Sequence, residues 1–246
     1  MKKIITLFCL MLSLFAQAQQ NGVVEYMYIH RNNGLVDSVA VAEIESVTFA
    51  TPTVRTQYEA VDLGLSVKWA TFNVGATKPE EYGGYYAWGE TEEKENYDWS
   101  TYKWCNGDEF SITKYCTSTS YGTVDNKTTL DLEDDVAHVK WGGSWRMATS
   151  DEQKELVNNC TWTWTTLNGV NGYTVTGPNG NSIFLPAAGY RYSTSLYNCG
   201  SNGYYWSSSL YDGNSNRACY LVFYGSNYDW NYNVRCQGYS VRPVCE

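Results

Sequence analysis

The residues of this chain best equipped for catalysis or metal binding are eight cysteines, two histidines and 26 carboxylates. Their spacing assembles no reactive group. No two cysteines stand as C-x-x-C, and His30 and His138 are the only histidines, so a structural zinc site lacks its ligand pattern. Nucleophilic catalysis needs an oriented base beside the nucleophile. His30 falls in a short N-terminal ribbon and His138 on a predicted helix beside Val139, and no Ser-His-Asp arrangement is legible. Two carboxylates would serve a glycosidase, but among 26 acids a suitable pair arises by chance. Glu133, Asp134 and Asp135 read as the solvated face of a helix, because a calcium site needs oxygen ligands converging from a loop. The expectation is therefore no catalytic residue, no metal and no cofactor.

The chemistry that the composition does favour is recognition. From Tyr190 to Glu246 the chain is rich in Tyr, Trp, Asn, Ser, Gly and Arg. Tyr and Trp give large rigid contact areas at small entropic cost, and Asn, Ser and Gly give adaptable hydrogen bonding. The candidate ligand-facing residues are Tyr192, Tyr197, Tyr204, Tyr211, Arg217, Tyr224, Tyr228, Trp230, Asn231, Tyr232 and Arg235. The aromatics would stack on sugar faces or act as protein hot spots. Arg217 and Arg235 would pair with carboxylates. A period of two along 227–236 puts Tyr228, Trp230, Tyr232, Val234 and Cys236 on one face. Asn227, Asp229, Asn231, Asn233 and Arg235 take the other. In ACYLVFYG (Ala218 to Gly225), Leu221 and Phe223 read as core. Tyr220, Val222 and Tyr224 alternate onto a face that a sheet with one packed side leaves open.

These residues need elements to hold them. The chain opens MKKIITLFCLMLSLFAQAQQ, a basic start and a short apolar run followed by Ala16-Gln17-Ala18. That reads as a secretory signal peptide over 1–18, too short to span a bilayer. Its removal takes two lysines and no acids, moving the net charge from −9 to −11. So acidic a chain argues against nucleic acid, which needs clustered Lys and Arg. Seven cysteines remain, an odd number that leaves at least one thiol unpaired within the chain. No later segment is apolar enough for a membrane span.

Residues 19–50 read as a short β-hairpin segment with an Asn33-Gly34 turn and a closing IESVTFA, and 51–57 as a linker. The main domain takes 58–246. Val61 to Gly75 reads as strand, and Asn96 to Thr128 as a long polar region of the kind that carries function or lacks order. Thr129 to Val139 is a predicted helix, with Leu130, Leu132, Val136 and Val139 near one face. A second helix opens at Thr149 to Glu152 with capping-box spacing and ends near Asn159 and Cys160. After it come only strand signals, including the alternating TWTWTT and a hairpin from Gly172 to Ala187 around PNGN.

Several motifs resemble a known family: VDLGLSVKWATFNVGA (Val61 to Ala76), YYAWGET, WGGSWRMAT, NSIFLPAAGYR, YWSSS and GYSVRPV. Together they look like the Fibrobacter succinogenes major paralogous domain, common in exported proteins of gut Bacteroidetes, over about Tyr58 to Glu246. Ala148 stands where that family usually has Pro. The resemblance implies an α+β, C-type-lectin-like fold: two helices, twisted antiparallel sheets and paired terminal strands, here preceded by a β-ribbon. Val61 to Val74 would pair with Tyr239 to Val244. The calcium motifs of such lectins are absent, Asp229-Trp230-Asn231 being only a scrambled echo. Some proteins of that fold carry C-terminal regions varied by diversity-generating retroelements, and this Asn- and Tyr-rich tail resembles one; ordinary divergence among paralogues is the plainer account.

The expectation is thus a secreted, non-catalytic, calcium-independent module at the cell surface, in the periplasm or outside the cell, whose partner is a glycan or a surface protein. The same implied fold includes formylglycine-generating enzymes. Cys236 and Cys245 lie at the matching end of the chain, without a matching local motif. The alternatives are therefore a degenerate enzyme of that type or a structural component of a surface assembly.

Overall fold

The computed structural model describes residues 25–30, 36–43 and 58–246. The signal peptide, the Asn33-Gly34 turn, IESVTFA and the 51–57 linker lie outside the described residues. The chain divides into two compact units, Met1–Val54 and Arg55–Glu246. In the first, β1 (Tyr26–His30) pairs antiparallel with β2 (Val36–Ala40), Tyr28 opposite Ser38, and a 3-10 turn follows at Val41–Glu43.

The second unit corrects the α+β, C-type-lectin-like expectation. Strand makes up 39% of the described residues and helix only 12%, with two α-helices and five small antiparallel sheets, of which one is the β1–β2 ribbon of the first unit and four lie in the second. One cause is visible at the first predicted helix. Within Thr129 to Val139 the chain makes a 3-10 turn at Leu132–Asp134, and an α-helix starts only at Val136 (α1, Val136–Trp141). Asp135 interrupts it in an extended conformation, its carboxylate accepting from the N–H groups of Ala137, His138 and Met147. A side chain that takes up helix-start donors fixes the start at its own position. Asp134 and Asp135 are buried, not solvated, and Leu132 and Val139 are exposed. The second helix, α2 (Ser150–Asn159), has the capping box that its sequence spells, with Thr149 Oγ1 accepting from Glu152 N–H and Glu152 accepting from Thr149 N–H.

One sheet joins the two ends of the unit. β14 (Pro243–Cys245) lies between β4 (Lys68–Ala70) and β5 (Arg146–Met147), with β3 (Ala60–Val61) outside β4; Val244 stands opposite Trp69 and Arg146. Buried Arg242 clips the ends together. It donates to Asn73 Oδ1 at 2.9 Å, Ala70 O at 3.1 Å and Phe184 O at 2.9 Å.

A second sheet runs β6 (Thr161–Leu167), β7 (Val170–Thr176), β8 (Ser182–Pro186). β9 (Tyr190–Tyr192) and β10 (Ser195–Tyr197) form a small hairpin. The third large sheet runs β11 (Asn202–Leu210), β12 (Arg217–Tyr224), β13 (Asn227–Val234).

Its central strand is packed on both faces, against the expectation of one open side. Leu221 and Phe223 join a core with Trp69, Leu156, Trp162, Tyr173 and Val244. Tyr220 and Val222 join another with Trp88, Met147, Trp206 and Tyr239. Cover on both faces buries the strand from Ala218 to Phe223, while Tyr224 at its end stays 50% exposed.

The long polar region 96–128 is held by tyrosines turned inward. Tyr97 OH donates to Tyr85 O at 2.5 Å, Tyr102 OH to Trp88 O at 2.6 Å, and Tyr115 OH to Asp134 Oδ2 at 2.7 Å. Each ring contributes buried apolar area while its hydroxyl satisfies a buried acceptor.

A candidate ligand-binding cleft

The eleven residues singled out from composition do not form one surface. The register of β11, β12 and β13 puts Tyr204, Tyr224 and Asn231 on one face of their sheet, and Arg217, Tyr228, Trp230 and Tyr232 on the opposite face. Tyr192 and Tyr197 stand exposed on the β9–β10 hairpin, which reaches the first of these faces through Tyr190, whose ring lies 4.9 Å from that of Tyr204. Tyr211 stacks on Tyr232 at 3.7 Å, with the Arg217 guanidinium 5.6 Å from the Tyr232 ring. Trp230 is capped by the Lys154 ammonium at 4.7 Å.

Arg235 requires correction, because it reaches no ligand. It is 0% exposed and donates to Tyr102 OH at 2.9 Å, Tyr115 O at 2.9 Å, Ser215 O at 2.8 Å and Lys114 O at 2.9 Å. The chain leaves β13 at Val234, so the period of two that placed Arg235 outside no longer applies.

The alternating Asx residues of β13 have a local task. β13 is an edge strand, with backbone groups lacking a neighbouring strand on one side. Asp229, Asn231 and Asn233 each accept, through a side-chain oxygen, from the N–H of the following residue: Trp230, Tyr232 and Val234, all at 2.8 Å. Three alternate amides of the strand are thus capped by the strand's own side chains.

A cleft of about 730 Å³ opens between β6 and β7 on one side and the loops at Gly200–Asn202 and Gly225–Ser226 on the other. Its walls are aromatic. Trp162 and Trp164 lie on one face of β6 by their spacing of two. Trp162 stacks on Tyr228 at 4.8 Å, with planes 11° apart. Trp164 meets Tyr173 edge-on at 5.2 Å and Phe223 at 6.2 Å, and the residue remains 39% exposed. Thr163, Ser201, Asn202 and Ser226 complete the lining, Ser201 and Ser226 standing in the two loops. Both loops are tied to β7: Tyr173 OH donates to Gly225 O at 3.0 Å, and Asn171 Nδ2 to Gly200 O at 3.0 Å. Gly225 and Gly200 have φ of 57° and 80°, a region that suits glycine. The cleft is open and mostly apolar, with a few polar residues at its rim.

Of the eleven candidates only Tyr228 lines this cleft. Trp162, Trp164 and Tyr173, which line the cleft, were not among the candidates. The signal was present in TWTWTT, where two indoles two apart in a strand must share a face.

The carboxylate cluster Asp131, Glu133 and Asp134 offers three oxygens close together, but an ammonium already fills it. Lys114 Nζ lies 2.7 Å from Asp131, 2.6 Å from Asp134 and 3.7 Å from Glu133. Its hydrogen bond holds the Asp131 carboxyl down at about 2, with a second from Lys127. Chemically this is a closed salt-bridge network. His138 Nδ1 sits 3.2 Å from Trp145 O, a contact that ties α1 to the following turn. The side chain of His30 lies outside the described residues.

Residues 164–244 match a family described as a domain of unknown function (DUF8237). That segment begins at Trp164 and contains Tyr173, both cleft loops and Tyr228, but excludes Trp162. No curated protein and no solved structure matches the chain. Among the described residues no helix is long and apolar enough to cross a membrane.

Proposed function

We propose that this protein is an exported, non-catalytic recognition module that binds a saccharide in the cleft between β6 and the β12–β13 turn. The observation that carries the reading is the exposed Trp164 ring at an aromatic wall faced by a polar rim. Sugar rings present apolar C–H faces to aromatic planes and hydroxyls to hydroxyl and amide groups, and both kinds of partner line this cleft. The ties from Asn171 and Tyr173 support the reading further, since a rim fixed before binding loses less entropy on binding. The signal-peptide pattern at the N-terminus supports export.

The two cysteines nearest the C-terminus support a non-catalytic role. Burial pushes the Cys236 thiol up to about 12 and raises that of Cys245, and a protonated thiol is a poor nucleophile. A formylglycine-generating reaction would need a reactive cysteine at this end of the chain. Turnover of a cysteine-containing sulfatase peptide would overturn the non-catalytic reading.

A glycan array followed by titration calorimetry tests the cleft. Trp164→Ala weakens binding by about tenfold or more, the range of an aromatic hot spot. Trp230→Ala, outside the cleft, leaves it unchanged, and a chelator has no effect on affinity. Saccharide binding that survives Trp164→Ala and Tyr228→Ala undiminished would remove the cleft from the proposal.

A further inference from the structure

Resting on the reading of the cleft as a saccharide site, we infer that its ligands are uncharged oligosaccharides, and that uronate, sialylated and sulfated glycans are excluded. The lining carries the information. All ten residues that line the cleft, among them Trp164, Tyr173, Ser201, Asn202, Ser226 and Tyr228, have uncharged side chains. An anion entering there would shed water against aromatic faces and meet no cation, a burial that is costly unless the charge is paired. Two cations on the Tyr228 face of the sheet, Lys154 and Arg217, lie elsewhere. Lys154 is 2.9 Å from Asp151 and covers Trp230, and Arg217 lies over Tyr232. Neither lines the cleft. The chain carries −9, and −11 once the signal peptide is removed, which repels a polyanion before contact.

The volume adds a bound on size. A cleft of about 730 Å³ falls in the range that takes a drug-sized ligand, which a di- or trisaccharide matches in bulk. Trp162 stacks on Tyr228 and is nearly covered, so Trp164 is the indole available to a ring at the mouth.

The test compares cellotriose, mannotriose and galactotriose with the same backbones whose primary alcohols are oxidised to carboxylates or sulfated. Binding is measured by titration calorimetry on the full mature chain at low and high salt. The expected result is that at least one neutral trisaccharide binds, with affinity independent of salt and lost in Trp164→Ala, while its charged counterparts bind at least about tenfold more weakly. Ser226→Lys, which adds a cation to the exposed rim, narrows that gap. Charged sugars that bind as tightly as neutral ones, through Trp164, overturn this inference and leave the saccharide reading standing. Failure of every neutral and charged sugar to bind a folded chain overturns both.

Discussion

Arg235 shows how far the meaning of a residue depends on what surrounds it. In the sequence it is a cation beside Tyr and Asn residues, suited to a ligand carboxylate. In the fold its guanidinium fork satisfies three backbone carbonyls and a tyrosine hydroxyl, and its Cζ lies 4.9 Å from the centre of the Trp88 ring. Arg235→Ala would leave those acceptors unpaired, so a loss of about 3 kcal/mol or more is expected in urea unfolding. Arg235→Lys would recover little of it, because an ammonium cannot span the fork. Asp131 gives a prediction in pH. Lys114, then Lys127, lower its carboxyl from an ordinary 3.8 to about 2 in the folded chain. A depressed folded value stabilises the fold above the unfolded value, and that contribution is lost as pH falls through about 2. Asp131→Asn should therefore be less stable than the parent at neutral pH. The two unfolding midpoints should converge between about pH 4 and pH 2, and parallel curves across that window would sink the assignment.

At the scale of elements, β13 turns an unfavourable composition into a finished edge. Asn and Asp are depleted in strands, yet at alternate positions here they cap the amides that an added strand would use. Replacing Asp229 and Asn231 together with Val uncaps two of these amides and makes the edge more apolar. The expected outcome is a higher mass by light scattering, or more thioflavin binding, than the parent at equal concentration. Unchanged association would mean that the caps do not guard the edge. Helix α1 makes a complementary point. Asp135 takes three N–H donors from the start of α1 and from β5, so Asp135→Ala should cost about 2 kcal/mol in thermal or urea unfolding. The capping box of α2 and the β7–β8 hairpin were legible because each is encoded within a few residues. The break at Asp135 was not, because Met147, which fixes one of its oxygens, is twelve residues away.

For the whole molecule, closure depends on the last strand. β14 sits between β4 and β5, and the buried Arg242 beside it bonds to Ala70, Asn73 and Phe184. Deleting 243–246 removes a central strand with a fully buried Val244, and loss of the near-ultraviolet circular dichroism of the packed aromatics is expected. By itself the sequence determined the short-range features: strand alternation, the α2 cap, the hairpin at PNGN, the acidic balance and an aromatic supply far above what a signal sequence or linker needs. These follow from spacing along a few residues and from composition. The tertiary structure decided which faces are covered. It buried β12 on both sides, turned Tyr97, Tyr102 and Tyr115 inward, divided the candidate tyrosines between opposite faces of a sheet, and made the cleft from Trp164, Tyr173, Tyr228 and two distant loops. Exposure is a property of what packs against a residue. Here the packing partners come from segments tens of residues apart, so local spacing shows which aromatics share a face, as in TWTWTT, but not which of them stays exposed.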